Sequence, residues 1–317
     1  MGFGAIDLSG RGNDFYRKFN NEIISLCETL PESIQTDALL FFMKYSGLSI
    51  GQKLLFFKNY YVPSWSIVFW LTQYFPNNNE SFQEKTKNAI TAHSMAMILH
   101  SLDDHINDGE LPASHLTLLL RSQAWMMMIH SLQSLSGGSN DCNGIISDFI
   151  DDYYSSILSS DDMNTLDDYC ERFKKQMATW LIVPVLLAKT IKKGDEFSNG
   201  VQAAFESFGI AWRLLDDIND IQTDMKNGMH SAIYVCLPEK IRKLWGPSKR
   251  NNPPIENAYH DTILNHIIDI GLIEKIQNMI CRELQSAVSL SEIIQLNGLA
   301  GEFRYLLTPL KDKQRYI

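Results

Sequence analysis

The sequence predicts an all-α protein, and three observations carry that prediction. Apolar residues recur at three- and four-residue steps almost throughout the chain, no alternating pattern of strand length is present, and the connections are short. With 317 residues, 45% of them hydrophobic, the chain can fill one large core. One domain over residues 1–317 is the expectation, with a split near 240 as the alternative.

The elements follow in order. "NDFYRKFNNEIISLCETL" puts Phe15, Phe19, Ile23, Ile24, Cys27 and Leu30 on one helical face, and Pro31 ends it. "IQTDALLFFMKYSGL" and "IGQKLLFFKNYYV" read as two shorter helices. "PSWSIVFWLTQYF" starts on a helix-initiating proline and should stop at Pro76. A long apolar helix over about 82–107 ends near Gly109–Pro112, and the next stops at Gly137–Gly138. Helices over "IISDFIDDYYSSIL", about 163–192 and about 198–227 come next. The stretch 237–256 has four prolines and many basic residues, so it reads as an irregular connection. Two or three helices close the chain. Pro184, inside an apolar helical pattern, marks either a kinked core helix or a backbone opened beside a cavity.

Composition excludes several classes. The net charge is −9 with no basic stripe, which argues against a nucleic-acid partner. The five cysteines are scattered and form no CxxC pair, so a disulfide framework or zinc site is not expected and a reducing cytoplasm is. "MGFGAIDLSG" lacks a signal-peptide layout and a myristoylation motif. The longest apolar stretch, "WLIVPVLLA", is too short for a transmembrane segment.

Two acidic clusters stand out. In "LLDDINDIQTD", Asp216, Asp220 and Asp224 form a row at four-residue spacing and Asp217 lies beside it. Like charges at that spacing repel, and the preceding "FGIAWRLL" asks for burial, so a cation on that face would relieve the arrangement. Oxygen donors without His or Cys suit a hard ion, and Mg²⁺ bridging to phosphate fits best. The second cluster, "SLDDHINDG", supplies Asp103, Asp104, Asn107 and Asp108 at the end of the long apolar helix. Either cluster alone could be a solvated helix end. Two of them, each after an apolar helical run, could face each other and grip Mg²⁺ ions that bind and polarise a diphosphate.

On these motifs the chain resembles the class I isoprenoid synthase superfamily, which comprises trans-prenyl diphosphate synthases and class I terpene synthases. "DDIND" with Asp224 resembles the second aspartate-rich motif of prenyl diphosphate synthases. "DDHIND" resembles the first, except that the third acid of a DDxxD falls on Asn107 and Asp108 follows it. The resemblance covers about residues 80–235. It implies a helical bundle with a central active-site cavity, about three Mg²⁺ ions, and ionisation of an allylic prenyl diphosphate to a carbocation. Asp103, Asp104, Asp216, Asp217 and Asp220 would be catalytic. Metal would be held by these residues with Asn107, Asp108 and Asp224. A homodimer is compatible with the resemblance.

The branch is read from what departs from the family pattern. Chain-elongating relatives hold isopentenyl diphosphate with a GGKR-type loop and an RRG after the first motif. Here Lys53, Lys58 and a lone Arg121 stand in those regions. This favours a terpene synthase that cyclises or rearranges a C15 or C20 substrate. The alternative is a prenyltransferase, elongating with isopentenyl diphosphate or using another acceptor. Asn219 and Thr223 fit part of the terpene synthase metal triad, but Asn227 replaces its Glu. Diphosphate contacts are expected from Arg121, Lys175, Arg213, Lys226, His230, Arg304 and Tyr305, each of which could equally be a surface group. Ile98 and Leu99 occupy places where aromatic residues shorten the product in some relatives, so their size suggests room for a long tail. A di-iron bundle would need Glu-x-x-His spacing, which neither cluster supplies. A non-catalytic partner subunit is a further rival, left open by Asn107.

Overall fold

The structure, a computed structural model, describes residues 2–8, 10–49, 51–75, 80–158, 163–191, 194–246 and 253–314. Among these residues no strand occurs. Two helices, α1 (Gly10–Glu28) and α2 (Glu32–Tyr45), lead into a 3₁₀ turn at Phe56–Asn59, and α3 (Pro63–Thr72) follows. The long α4 (Glu80–Asn107) pairs with α5 (His115–Ser136). Next come α6 (Asn140–Leu158), α7 (Leu166–Gln176), α8 (Ala178–Thr190) and α9 (Asp195–Asn219). Three short helices, α10 (Ile221–Asn227), α11 (Ala232–Cys236) and α12 (Glu239–Arg242), precede α13 (Pro253–Asp269), α14 (Leu272–Ile293) and α15 (Asn297–Gln314).

Burial follows the pattern of each helix. A helix that is apolar all round belongs in the centre. In α4 every residue from Ala92 to Leu99 is buried, and in α8 every residue from Ala178 to Ala188. α4 packs on α1, α5 and α8; α8 packs on α9; and α14 covers α9 before α15 returns to α3. One connected apolar cluster runs from Phe15 to Leu310. Capping boxes at Ser114–Thr117 and Thr165–Asp168 satisfy the first N–H groups of α5 and α7.

Four expectations changed. Over residues 51–62 the expected helix is reduced to the 3₁₀ turn, with Phe56 and Phe57 both buried. The helix expected over 163–192 divides at Met177. There α9 approaches so closely that a Cβ on Gly209 would lie 2.3 Å from the Met177 methyl. The 198–227 helix changes conformation at Asp220, yet Asp220 N–H still bonds Asp216 O (2.9 Å) and Asp224 N–H bonds Asp220 O (2.8 Å). The irregular stretch 237–256 contains α12 and the start of α13; Pro76 and residues 247–252 lie outside the described residues. Pro184 sits within α8 and removes the donor that would pair with the Trp180 carbonyl one turn earlier.

α15 is fastened to α3 by a buried carboxylate. Glu302 is 7% exposed; it accepts from Trp70 Nε1 (2.9 Å) and from the Ser66 hydroxyl. Burial holds its carboxyl up at about 7, outweighing both hydrogen bonds. The folded chain therefore keeps this proton to higher pH than the unfolded chain. Its contribution to stability is full below the ordinary glutamate value near 4.5 and is lost as pH rises through about 7. That loss is about 3 kcal/mol. We expect Glu302→Gln to flatten this slope, so urea midpoints at pH 5 and pH 8 converge in the variant and diverge in the parent.

The same contact requires glycine at 298. A Cβ there would meet the Trp70 ring at 2.3–2.4 Å. A rigid indole packed among helices has little room to yield, so Gly298→Ala should cost about 1–3 kcal/mol in denaturant unfolding.

Candidate active site

The C-terminal ends of α4 and α9 meet at one cavity of about 520 Å³. His100, Asp104 and Asp108 follow one another at four-residue spacing and line one wall. Asp216, Asp217 and Asp220 from the end of α9, with Asp224 from α10, line the other. Asp104 is close enough to raise the carboxyl of Asp216 across the gap. Both clusters sit where helix carbonyls already concentrate partial negative charge, so each is unfavourable until a cation arrives.

The carboxyl groups register this crowding. Asp216 is pushed up to about 6 by burial, against the pull of Arg213, with Asp220, Asp217 and Asp104 adding to the rise. Asp224 is pushed up to about 7, by burial first and then by Asp217. Asp108 is raised by burial, Asp104 and Glu110. Asp217 is different. It is 2% exposed and already satisfied by Arg213 Nε (3.1 Å) and the Ala232 N–H (2.8 Å). Arg213 also donates to the Tyr169 hydroxyl (2.8 Å) and approaches Asp216 (3.9 Å). Asp217 and Arg213 thus anchor the wall.

The structure brings some of the expected residues together and sends others elsewhere. Asp103 and Asn107 are outside the cavity lining. Asp103 accepts from Arg121 Nη2 and from the Tyr153 hydroxyl, both at 2.9 Å, and Arg121 Nε completes a bidentate pair. Arg121 is thereby a structural partner of Asp103. Lys175 faces Asp152 at 3.6 Å on α6, and Lys226 is exposed. Arg304 pairs with Glu292 of α14 and Tyr305 is 64% exposed, so that pair is remote from the aspartates. Of the basic candidates, Arg213 and His230 reach the cavity, the latter stacked on Tyr234 at 4.1 Å. Thr223 and Asn227 line it as well.

Other lining residues had no advance signal. Tyr45, Phe56, Tyr60 and Tyr61 come from α2 and the segment before α3. His100 could have been found, since it lies four residues before Asp104. The floor is aromatic. Trp180, 1% exposed, lies 4.7 Å from His100, 5.5 Å from Trp212 and 6.5 Å from Tyr60 between ring centroids. Ile98 and Leu99 are buried away from the cavity, so they do not set its depth.

The donor set fits Mg²⁺. It is made of carboxylate oxygens on two walls, several of them costly without a cation. Among the described residues, no three His, Cys, Asp or Glu side chains converge on one point.

The all-helical bundle has the fold of the class I isoprenoid synthases, as the likeness to solved structures shows. Solved structures agree along nearly the whole chain. The heptaprenyl diphosphate synthase of Staphylococcus aureus matches with a TM-score of 0.69 at 14% identity, covering 94% of this chain and 98% of that one. A geranylgeranyl pyrophosphate synthetase from the archaeon Geoglobus acetivorans gives 0.65 at 14% identity, covering 93% and 98%. The geranylgeranyl pyrophosphate synthase of Corynebacterium glutamicum, complexed with calcium and isoprenyl diphosphate, gives 0.60 at 13% identity, covering 96% and 99%. No family model matches the sequence, and no curated protein matches it. The likeness is therefore one of fold. Among the described residues no helix is long and apolar enough to cross a membrane.

Proposed function

We propose that this chain is a Mg²⁺-dependent prenyltransferase that ionises an allylic prenyl diphosphate and transfers the prenyl group to an acceptor. The observation that carries the proposal is the facing of Asp104 and Asp108 with Asp216, Asp220 and Asp224 across one cavity. The names of the solved structures support transfer over the cyclisation expected from the motifs. Asp104, Asp108, Asp216, Asp220 and Asp224 would hold the metal. Mg²⁺ held there would supply charge neutralisation for the diphosphate leaving group. Arg213 keeps Asp217 and Asp216 in place, and His230, which lines the cavity, would donate to the diphosphate. Trp180 and Trp212, which line the cavity, would exclude water and offer aromatic rings to a developing carbocation. Terpene cyclisation is the second reading, favoured by the scarcity of cations for a second diphosphate.

The test is diphosphate release with Mg²⁺ and geranyl, farnesyl or geranylgeranyl diphosphate, with and without isopentenyl diphosphate. Release that stops on chelation of Mg²⁺ is expected, and no release from any donor would overturn the proposal. The reading takes residues 1–317 as one domain, which the connected core supports, and the free cysteines fit a reducing cytoplasm. A homodimer through α5, where Leu118 (46% exposed) and Met126 (58%) face outward, should give twice the chain mass in light scattering.

A further inference from the structure

A third part of the cavity lining, beside the carboxylates, differs from them in kind. It is built by Tyr45, Phe56, Asn59, Tyr60, Tyr61 and Ser64. Two of its phenols are hydrogen-bonded to α4. The Tyr45 hydroxyl bonds His105 Nδ1 and reaches the Ser101 carbonyl at 3.4 Å, while the Tyr60 hydroxyl bonds Ser101 Oγ. Burial pushes Tyr60 up to about 12, so it stays a phenol. Among the described residues, Arg213 is the one lysine or arginine that lines the cavity, and Asp217, Asp216 and Tyr169 already engage it. Lys53 and Lys58, on the segment that forms this wall, are exposed and outside the lining. Seven carboxylates line the same space: Asp104, Asp108, Glu110, Asp216, Asp217, Asp220 and Asp224.

These facts restrict the second substrate. An acceptor with its own diphosphate would lose its hydration here and find, among the described lining residues, no disengaged lysine or arginine to replace it, beside an already anionic wall. A cavity that folds one hydrocarbon cation on itself needs apolar walls, because hydroxyl and amide groups would intercept the cation. This wall carries such groups and also four aromatic rings. Rings stack on rings, and neutral donors and acceptors orient a hydroxyl or N–H.

Resting on the prenyltransferase reading, we infer that this wall is the subsite for an uncharged aromatic acceptor, a ring bearing a hydroxyl or an N–H. In the reaction the allylic C–O bond breaks and its electron pair leaves with diphosphate. A π pair of the ring forms the new C–C bond. The ring proton is then lost to the departing diphosphate, and its C–H pair restores aromaticity. No oxidant or reductant is involved.

The experiment uses the full chain with Mg²⁺ and farnesyl or geranylgeranyl diphosphate. Indole, 1-naphthol or isopentenyl diphosphate is added separately, with diphosphate release followed and products identified by mass spectrometry. The expected result is release raised at least about tenfold by indole or 1-naphthol, as placing the second reactant beside the cation should give, together with a prenylated arene. Isopentenyl diphosphate should leave the rate unchanged. Stimulation by isopentenyl diphosphate with a longer diphosphate product overturns the inference but keeps the prenyltransferase. A cyclic hydrocarbon from the donor alone, or release that neither aromatic probe stimulates, also overturns it. Absence of release under every condition removes the prenyltransferase reading and the inference with it.

Discussion

Asp216→Asn is expected to lower diphosphate release by about 10²–10³-fold while leaving folding intact. Asp216 is half-exposed at the mouth of the cavity, and its carboxyl is held high by burial and by three neighbouring carboxylates. Removing its charge relieves repulsion in the empty protein, so the variant should unfold at the same denaturant concentration or a higher one. Asp103→Asn should behave in the opposite way. Asp103 lies outside the cavity and balances Arg121 while accepting from Tyr153. Both partners are partly solvated, with side chains 12% and 28% exposed, so the penalty is below that of a fully buried pair, about 1–3 kcal/mol. Its activity per folded molecule should stay within a few-fold of the parent. Equal loss of activity in the two variants, with equal stability, would show that Asp103 reaches the metal and that the cavity wall is drawn wrongly.

Trp180→Ala is expected to shift donor preference toward longer chains. Exposure falls from the mouth, where Asp216 and His230 meet solvent, to the floor, where Trp180 is 1% exposed. His100, Tyr60 and Trp212 hold its indole in place, and the indole N–H has no partner. On the proposed reading, a prenyl tail entering from the carboxylates would end on this ring. Deleting it should raise kcat/KM for geranylgeranyl over geranyl diphosphate by about 10-fold or more, the scale on which apolar pockets discriminate length. The truncation should also cost about 3–5 kcal/mol of stability. Trp180→Leu, with less cavity to leave, separates the two effects, and it should shift the preference in the same direction at lower cost. Unchanged donor ratios in both variants would place the tail elsewhere.

The sequence by itself determined the helices, and so the fold class. Burial follows apolar periodicity, and the runs 92–99 and 178–188 are apolar enough to be central helices wherever their neighbours lie. It also determined that two acidic clusters end such helices, because like charges at four-residue spacing next to a core ask for a cation. Tertiary structure decided which members of each cluster serve that cation. Adjacent helical residues point about 100° apart, and the seating of α4 on α5 and α8 turns Asp104 and Asp108 to the cavity and Asp103 to Arg121. Arg304 and Tyr305 satisfied a motif but pack toward α14 and solvent. Tyr45 and Tyr60 carried no signal, since what brings them to the cavity is contact with His105 and Ser101, 41 to 60 residues away in the chain. Local spacing encodes the face of a helix. Only the packing of that helix against distant ones decides which way the face looks.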